Sequence, residues 1–237
     1  MQKLFPNERQ PADVTHMDFE QARFNMIEQQ IRPWEVLNQE VLDLLFQLKR
    51  EDFVPAAYRT IAFTDMEIPI GEGQFMLSPK MEARILQELA PTKSERVLEI
   101  GTGSGYLTAL LGSRATSVTS VEYFESLSNG AATKLARANI TNVILKVGDA
   151  AKTPAAVTGA DEKFDVIALT GSVPVLPEAY LAALAENGRL FAVVGDAPVM
   201  KAMLYTRTGV NAYASVEIFE TVVPPLLNAK QPSRFDF

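Results

Sequence analysis

No cysteine occurs among the 237 residues. That removes disulfides, cysteine-ligated zinc, iron–sulfur clusters and a thiol nucleophile together. A single histidine, His16, leaves no basis for a histidine-rich metal site, and any imidazole catalysis would rest on that one residue. Basic residues are the minority: 22 Lys and Arg stand against 29 Asp and Glu, a net charge of −7. A duplex nucleic-acid binder needs a basic footprint to displace counterions, so this class is disfavoured. No run approaches the ~18 apolar residues of a membrane span, and the first 21 residues lack the apolar stretch of a secretion signal. The expectation is a soluble, cytoplasmic protein with neither nucleic-acid nor membrane partners and no metal. With 47% hydrophobic and 22% charged residues, the composition is that of an ordinary folded protein. A chain of this length buries roughly 70% of its unfolded surface, enough for a core without staples.

Three stretches divide the chain. Residues 1–16 are polar and proline-punctuated and read as a flexible leader. Residues 17–92 read as a helical extension followed by a long loop. Asp18 can cap a first helix, Pro33 interrupts after Arg32, a second helix starts near Asn38, and Pro55 closes the region. Residues 58–79 carry little periodicity and read as a structured loop, a feature often functional in compact domains. Ser78-Pro79 predicts a helix start, with Pro79 at the first helical position. Residues 93–237 alternate short apolar runs with helical patterns. Strands are expected over 96–100, 117–122, 142–147, 164–169 and 189–194. Helices are expected over 106–111, 127–139 and 177–186, and a hairpin over 203–223. This alternation predicts an α/β fold, a Rossmann-like, doubly wound and mostly parallel sheet with a C-terminal antiparallel hairpin.

The strongest chemical signal is Glu99-Ile100-Gly101-Thr102-Gly103-Ser104-Gly105-Tyr106, which ends one strand and opens a helix. Glycines let a backbone approach a ligand and present amides at a helix N-terminus. Glu122 ends the next strand, 21 residues after Gly101, a spacing at which a carboxylate can accept from both ribose hydroxyls. Asp149 ends the third strand, between Gly148 and Ala150, and Tyr123 follows Glu122 where it could lie against an adenine. A dinucleotide fingerprint would place a third glycine at position 106, but that residue is Tyr106. Glu99, just before the turn, would repel phosphates and suit a ligand carrying positive charge, such as S-adenosylmethionine. The competing reading is a glycine-rich turn chosen only for packing.

Here the sequence resembles the protein-L-isoaspartate O-methyltransferases. The resemblance spans about residues 20–225. It rests on Met26-Ile27-Glu28-Gln29-Gln30-Ile31, Glu51-Asp52-Phe53-Val54-Pro55, Ile68-Pro69-Ile70-Gly71-Glu72-Gly73-Gln74, the glycine string, Val147-Gly148-Asp149, Gly188-Arg189-Leu190 and Val223-Pro224. It implies a seven-stranded methyltransferase fold, S-adenosyl-L-methionine as donor with S-adenosyl-L-homocysteine as product, and methyl transfer to the carboxyl of an L-isoaspartyl residue in protein repair. By the same resemblance, Glu99, Gly101, Thr102, Gly103, Ser104, Gly105, Tyr106, Glu122, Tyr123, Gly148, Asp149 and Ala150 are the expected cofactor residues.

The acceptor half departs from the family. Where the family usually has Thr-Ile-Ser before the proline, this chain has Phe75-Met76-Leu77, and Ser78 stands one position late. In an extended segment one residue reverses the side chain's face. Ser78 is thus either a substitute hydroxyl or a helix cap. A carboxylate acceptor is already ionised at neutral pH, so no general base is required. Phe75 and Leu77 would make the acceptor wall apolar. The acceptor is a peptide or protein carboxylate, or a small molecule. The alternatives are a same-fold methyltransferase with another acceptor, a cofactor-binding protein without turnover, and a nicotinamide-dependent oxidoreductase, which Tyr106 and Glu99 disfavour. Asp65 and Glu67 could form an acid–base pair or a solvated loop. Trp34 reads as a packing anchor or a lid, and His16 as a solvated histidine or a catalytic one.

Overall fold

Asp18 opens the first helix as the sequence predicts. Its carboxylate accepts from the amides of Glu20 (3.0 Å) and Gln21 (3.1 Å), two of the donors that a helix start leaves without partners. The structure, a computed structural model, describes residues 18–231. The leader and His16 lie outside them. Helix α1 (Phe19–Met26) continues through a π turn (Ile27–Ile31) into a 3₁₀ turn, Arg32–Trp34, that ends at Glu35 with φ 61°. Pro33 is thus accommodated within a helical turn, which breaks only after Trp34. Asn38 caps helix α2 (Gln39–Gln47) through the amides of Glu40 and Val41.

The loop expected over 58–79 contains a hairpin: β1 (Ile68–Gly71) pairs antiparallel with β2 (Gln74–Met76). Pro69 and two glycines conceal it in the sequence. Those glycines are required, because Gly71, Glu72 and Gly73 all have positive φ (102°, 52° and 68°) to make so tight a turn. Helix α3 (Pro79–Leu89) begins where Ser78-Pro79 predicts, but the Ser78 side chain makes no capping hydrogen bond; only its carbonyl accepts, from Met81 (3.1 Å) and Glu82 (3.2 Å). The cap reading of Ser78 is therefore corrected.

The main sheet is built from β3 (Arg96–Ile100), β4 (Ser117–Glu122), β5 (Val143–Val147), β6 (Phe164–Leu169), β7 (Leu184–Asp196), β8 (Val199–Gly209) and β9 (Ala212–Thr221). Its order is β5-β4-β3-β6-β7-β8-β9; the first five are parallel neighbours, and β8 and β9 run antiparallel. The crossovers are α4 (Tyr106–Arg114), α5 (Glu125–Arg137), α6 (Ala155–Thr158) and α7 (Glu178–Ala182). Strand alternation sends Val97, Val118, Val166 and Ala168 to one face, packed with α1 to α5. Leu98, Ile100, Ile167 and Leu169 point to the other, packed with Tyr180 and Ala183 of the α7 region. Both faces are covered, which is why these strands are continuously apolar.

The predicted helix 177–186 stops four residues early, and β7 starts at Leu184. Leu184 pairs with Phe164, and Arg189 with Val166, so β7 takes up a bulge between them. Asn187 (φ 61°) and Gly188 form it, and a Cβ on Gly188 would lie 3.0–3.1 Å from the carbonyls of Asp165 and Phe164. The turn chemistry was visible; its use inside a strand was set by the partner strand. No helix among the described residues is long and apolar enough to cross a membrane.

Candidate functional site

Beyond β3 the chain turns at Gly101 (φ 96°), Gly103 (φ 51°) and Gly105 (φ 85°) before entering α4. Positive φ is costly for any residue with a Cβ. At Gly101 there is also no space, because a Cβ would collide with the Thr170 hydroxyl, which lies 2.9 Å from the carbonyl oxygens of both Ile100 and Gly101. The turn is anchored from behind by Lys134, whose ammonium donates to the carbonyls of Ser104 (3.3 Å) and Phe53 (2.9 Å), and burial pushes its pKa down.

In front of the turn lies a cleft at the carboxyl ends of β3, β4, β5 and β6, where open α/β sheets bind ligands. The turn residues from Gly101 to Ser104 line it, as do Glu122, Tyr123, Gly148, Asp149 and Ala150. The Glu122 carboxylate accepts from the amides of Gly103 (2.8 Å) and Phe124 (3.1 Å). A carboxylate has about four acceptor positions, so Glu122 keeps capacity for two further donors. The Asp149 carboxylate accepts from the amide of Ala151 (3.1 Å) and from the Asn228 side chain (2.8 Å). Glu122 and Asp149 thus share one rim.

Three expected cofactor residues do not line the cleft: Gly105, where a Cβ would lie 3.0 Å from that of Ala131 in α5, and Tyr106 and Glu99. Tyr106 is buried beneath the turn, its ring edge-on to Phe53 and its hydroxyl donating to the Leu48 carbonyl (3.3 Å). It is packing, because the first helical residue after the turn points back into the core. Glu99 is also buried and does not line the cleft. It shares a strand face with Val97, behind the turn, where Thr108 (2.5 Å) and Ser120 (2.6 Å) donate to its Oε2; Thr102 continues the chain to Ser120 (2.5 Å). Its Oε1 has no partner. Burial is the main cause that pushes this carboxyl up to about 7, and the nearby Glu122 charge adds to it, against the two hydroxyl bonds.

Several cleft residues escaped sequence reasoning. Ile70 comes from the unrecognised hairpin, Glu82 from α3, and Phe124 from the residue after Tyr123. Pro224–Leu227 arrive from beyond β9, held by reciprocal backbone bonds: Ser172 N to Pro224 O (2.9 Å) and Leu226 N to Ser172 O (2.9 Å). Thr170 and Gly171, just past the end of β6, line the same end of the cleft. Two carboxylates without an ion-pair partner among the described residues (Glu122 and Asp149) line it, a third (Glu82) is paired with Arg50, and no lysine or arginine is among the lining residues. Such a surface repels phosphates and attracts a cation.

The acceptor-side residues are split between two cavities. Phe75 is 46% exposed and Leu77 is 9% exposed, and both line the cleft. Ser78 does not; it faces a second cavity, of about 270 Å³, on the far side of Leu77. Ser78 thus stands on the opposite side of the segment from the cleft, for the reason given by alternation: one position along an extended segment is the opposite face. Leu77 is the only residue that lines both spaces, among the described residues. Its carbonyl accepts from Arg50 (2.7 Å), which is fully buried and also pairs with Glu82.

The family described as protein-L-isoaspartate(D-aspartate) O-methyltransferase matches residues 21–225. A protein-L-isoaspartate O-methyltransferase 1 of Pelobacter propionicus is 37% identical over 182 residues, covering 76% of this chain and 83% of that one. One of Rhodopseudomonas palustris is 34% identical over 220 residues, covering 92% and 87%. Among solved structures, a Plasmodium falciparum protein-L-isoaspartate O-methyltransferase in complex with S-adenosyl-L-homocysteine superposes with a TM-score of 0.74 at 20% identity, over 89% of this chain and 99% of that one. At that identity the likeness speaks to the fold.

Proposed function

The chain belongs to the protein-L-isoaspartate(D-aspartate) O-methyltransferase family, and from that membership we propose that it transfers a methyl group from S-adenosyl-L-methionine to a carboxylate, by family an L-isoaspartyl group of a protein or peptide. The observation that carries this reading is the cleft in which Glu122 and Asp149 share a rim with the glycine turn and no basic side chain. These residues fit a cationic nucleoside. Glu122 retains acceptor positions for ribose hydroxyls, Gly101 and Gly103 allow close backbone approach, and Glu99 places an orphaned carboxylate oxygen behind the turn.

When bound, the cofactor supplies an electrophilic methyl on a sulfonium, and the carbon–sulfur bond pair stays with sulfur as the acceptor oxygen takes the methyl. The protein's part is positioning and the exclusion of water. Leu77 and Phe75 form an apolar wall where the family's hydroxyls orient the acceptor. Leu77→Ser is expected to raise kcat/KM on an isoaspartyl peptide about tenfold, the value of one orienting hydrogen bond. Radiolabelled methyl incorporation measures this. An unchanged rate in a variant that still binds S-adenosyl-L-homocysteine would remove the role assigned to position 77.

Glu122→Gln keeps the size of the side chain but replaces one carboxylate oxygen with an amide donor. Calorimetric affinity for S-adenosyl-L-homocysteine is expected to fall about tenfold or more, since hydrogen bonds to a charged acceptor contribute ~1.5–3 kcal/mol. Wild-type affinity in that variant would show that the ribose is held elsewhere. Wild-type protein that binds no S-adenosyl-L-homocysteine would overturn the methyltransferase reading itself.

A further inference from the structure

The turn that carries Asp149 is held chiefly by side chains. Gly148, at its start, still bonds into the sheet, its amide donating to the Glu122 carbonyl (2.9 Å). From Asp149 to Thr153 the chain makes no backbone–backbone hydrogen bond among the described residues. The turn closes on itself through Ala151 N to Asp149 Oδ1 (3.1 Å). Two side chains from distant parts of the chain tie it to the rest of the molecule. Asn228, beyond β9, donates to Asp149 Oδ2 (2.8 Å), and both residues are exposed. Tyr180, in α7, donates its hydroxyl to the Ala150 carbonyl, and both are buried in the same apolar cluster. Packing accounts for the Tyr180 ring but not for its hydroxyl. A buried phenol and a buried carbonyl are each costly without a partner, and here each satisfies the other. Burial raises the phenol pKa, and the Asp149 charge raises it further, so the group stays a protonated donor at neutral pH.

Resting on the methyltransferase reading above, we propose that Tyr180 is a positioning residue for the nucleoside: through Ala150 its hydroxyl fixes where Asp149 stands on the rim, and so sets the preference for a base that carries a donor. The three strand ends lie in the order β5, β4, β3, so Glu122 is nearer the glycine turn and Asp149 one strand farther out. With Glu122 open to the ribose hydroxyls, Asp149 is left the base. An ionised carboxylate only accepts, and the donor at the edge of adenine is its exocyclic amine. Without the Tyr180 hydroxyl the turn hangs from the exposed Asn228 bond alone, and the Asp149 carboxylate loses its fixed place. Asp149 is itself exposed, so the preference it confers is modest.

The test compares S-adenosyl-L-homocysteine with its 6-deamino analogue, which has hydrogen in place of the exocyclic amine. Calorimetry gives both affinities, and their ratio is the readout. Wild type is expected to favour S-adenosyl-L-homocysteine about tenfold, the value of one such hydrogen bond. Tyr180→Phe keeps the ring and removes only the hydroxyl; its ratio is expected to fall to about twofold. Tyr180→Leu, a second way to remove the hydroxyl from an apolar cluster, should narrow the ratio to the same extent. A purely structural role would weaken both ligands alike and leave the ratio where it was. Urea unfolding verifies that each variant is folded. A wild-type ratio in either folded variant would overturn the proposal, as would a wild type that binds the two ligands equally. Wild type that binds neither ligand overturns the methyltransferase reading and the proposal with it, whereas an unchanged ratio in the variants strikes the role of Tyr180 alone.

Discussion

Arg50→Met is expected to lower the stability of the folded protein by about 3–5 kcal/mol, the range for breaking one side of a buried ion pair. Arg50 is 0% exposed. Its guanidinium pairs with Glu82 and donates to the carbonyls of Ala62 (2.8 Å) and Leu77 (2.7 Å), over the face of Tyr106 (5.3 Å). Burial lowers its pKa to about 10, which still leaves it charged at neutral pH. Methionine preserves much of the volume but removes all three donor contacts. Glu82 is then a buried carboxylate without a counterion, and two buried carbonyls lose their donor. The double variant Arg50→Met/Glu82→Leu removes both charges and should recover most of the loss, since hydrophobic replacement of a buried pair is often near neutral. Urea unfolding of the two variants tests this. A single variant within about 1 kcal/mol of wild type, or a double variant no better than the single, would show that the pair is not what ties the Leu77 segment to α3.

The second large effect is a dependence on pH that runs opposite to the usual acid denaturation. Glu99 has its carboxyl raised from 4.5 to about 7, chiefly by burial. For an acid with a raised folded pKa, the folded state holds the proton more tightly than the unfolded chain. The resulting stabilisation is present below the unfolded value and is lost as pH rises through the folded one. Between pH ~5 and ~7.5 the free protein should therefore lose on the order of 3 kcal/mol from this one group, at about 1.4 kcal/mol per pKa unit. Glu99→Gln keeps the acceptor oxygen for Thr108 and Ser120 and removes the titration. The difference in stability between wild type and variant should shift in favour of the variant across that window.

A bound cation on the other side of the turn reverses the balance. It favours the ionised carboxylate, so cofactor binding near pH 6 should release a proton, and affinity should rise with pH toward 7.5. Glu122 is the other acid facing the group, and it adds to the cost of ionising Glu99 in the free protein. Calorimetry in buffers of differing ionisation enthalpy counts the released proton. Wild type and Glu99→Gln with the same pH slope of affinity, and no proton released by either, would end the idea.

Residue types and spacings carried a large part of this description. Asp18 and Asn38 announced their helices because capping is a local exchange between a side chain and the next two or three amides. The glycine string announced the carboxyl edge of β3 because no other residue tolerates three positive φ values in five positions without strain. The β1–β2 hairpin stayed hidden because Pro69 and the two glycines read as loop punctuation, although they shape the hairpin. The acceptor segment showed the same limit, since Leu77 and Ser78 are adjacent in sequence but face different cavities.

By itself the sequence determined the alternation of strands and helices, the parallel sheet, the glycine turn, and the placement of Glu122 and Asp149 at consecutive strand ends, because each depends on local spacing along the chain. Only the tertiary structure decided which way Glu99 and Tyr106 point, that residues 224–227 return over the cleft, and that Leu77 divides two cavities. Those outcomes depend on which face of a strand or helix the rest of the chain packs against, and no pattern confined to neighbouring residues contains that choice.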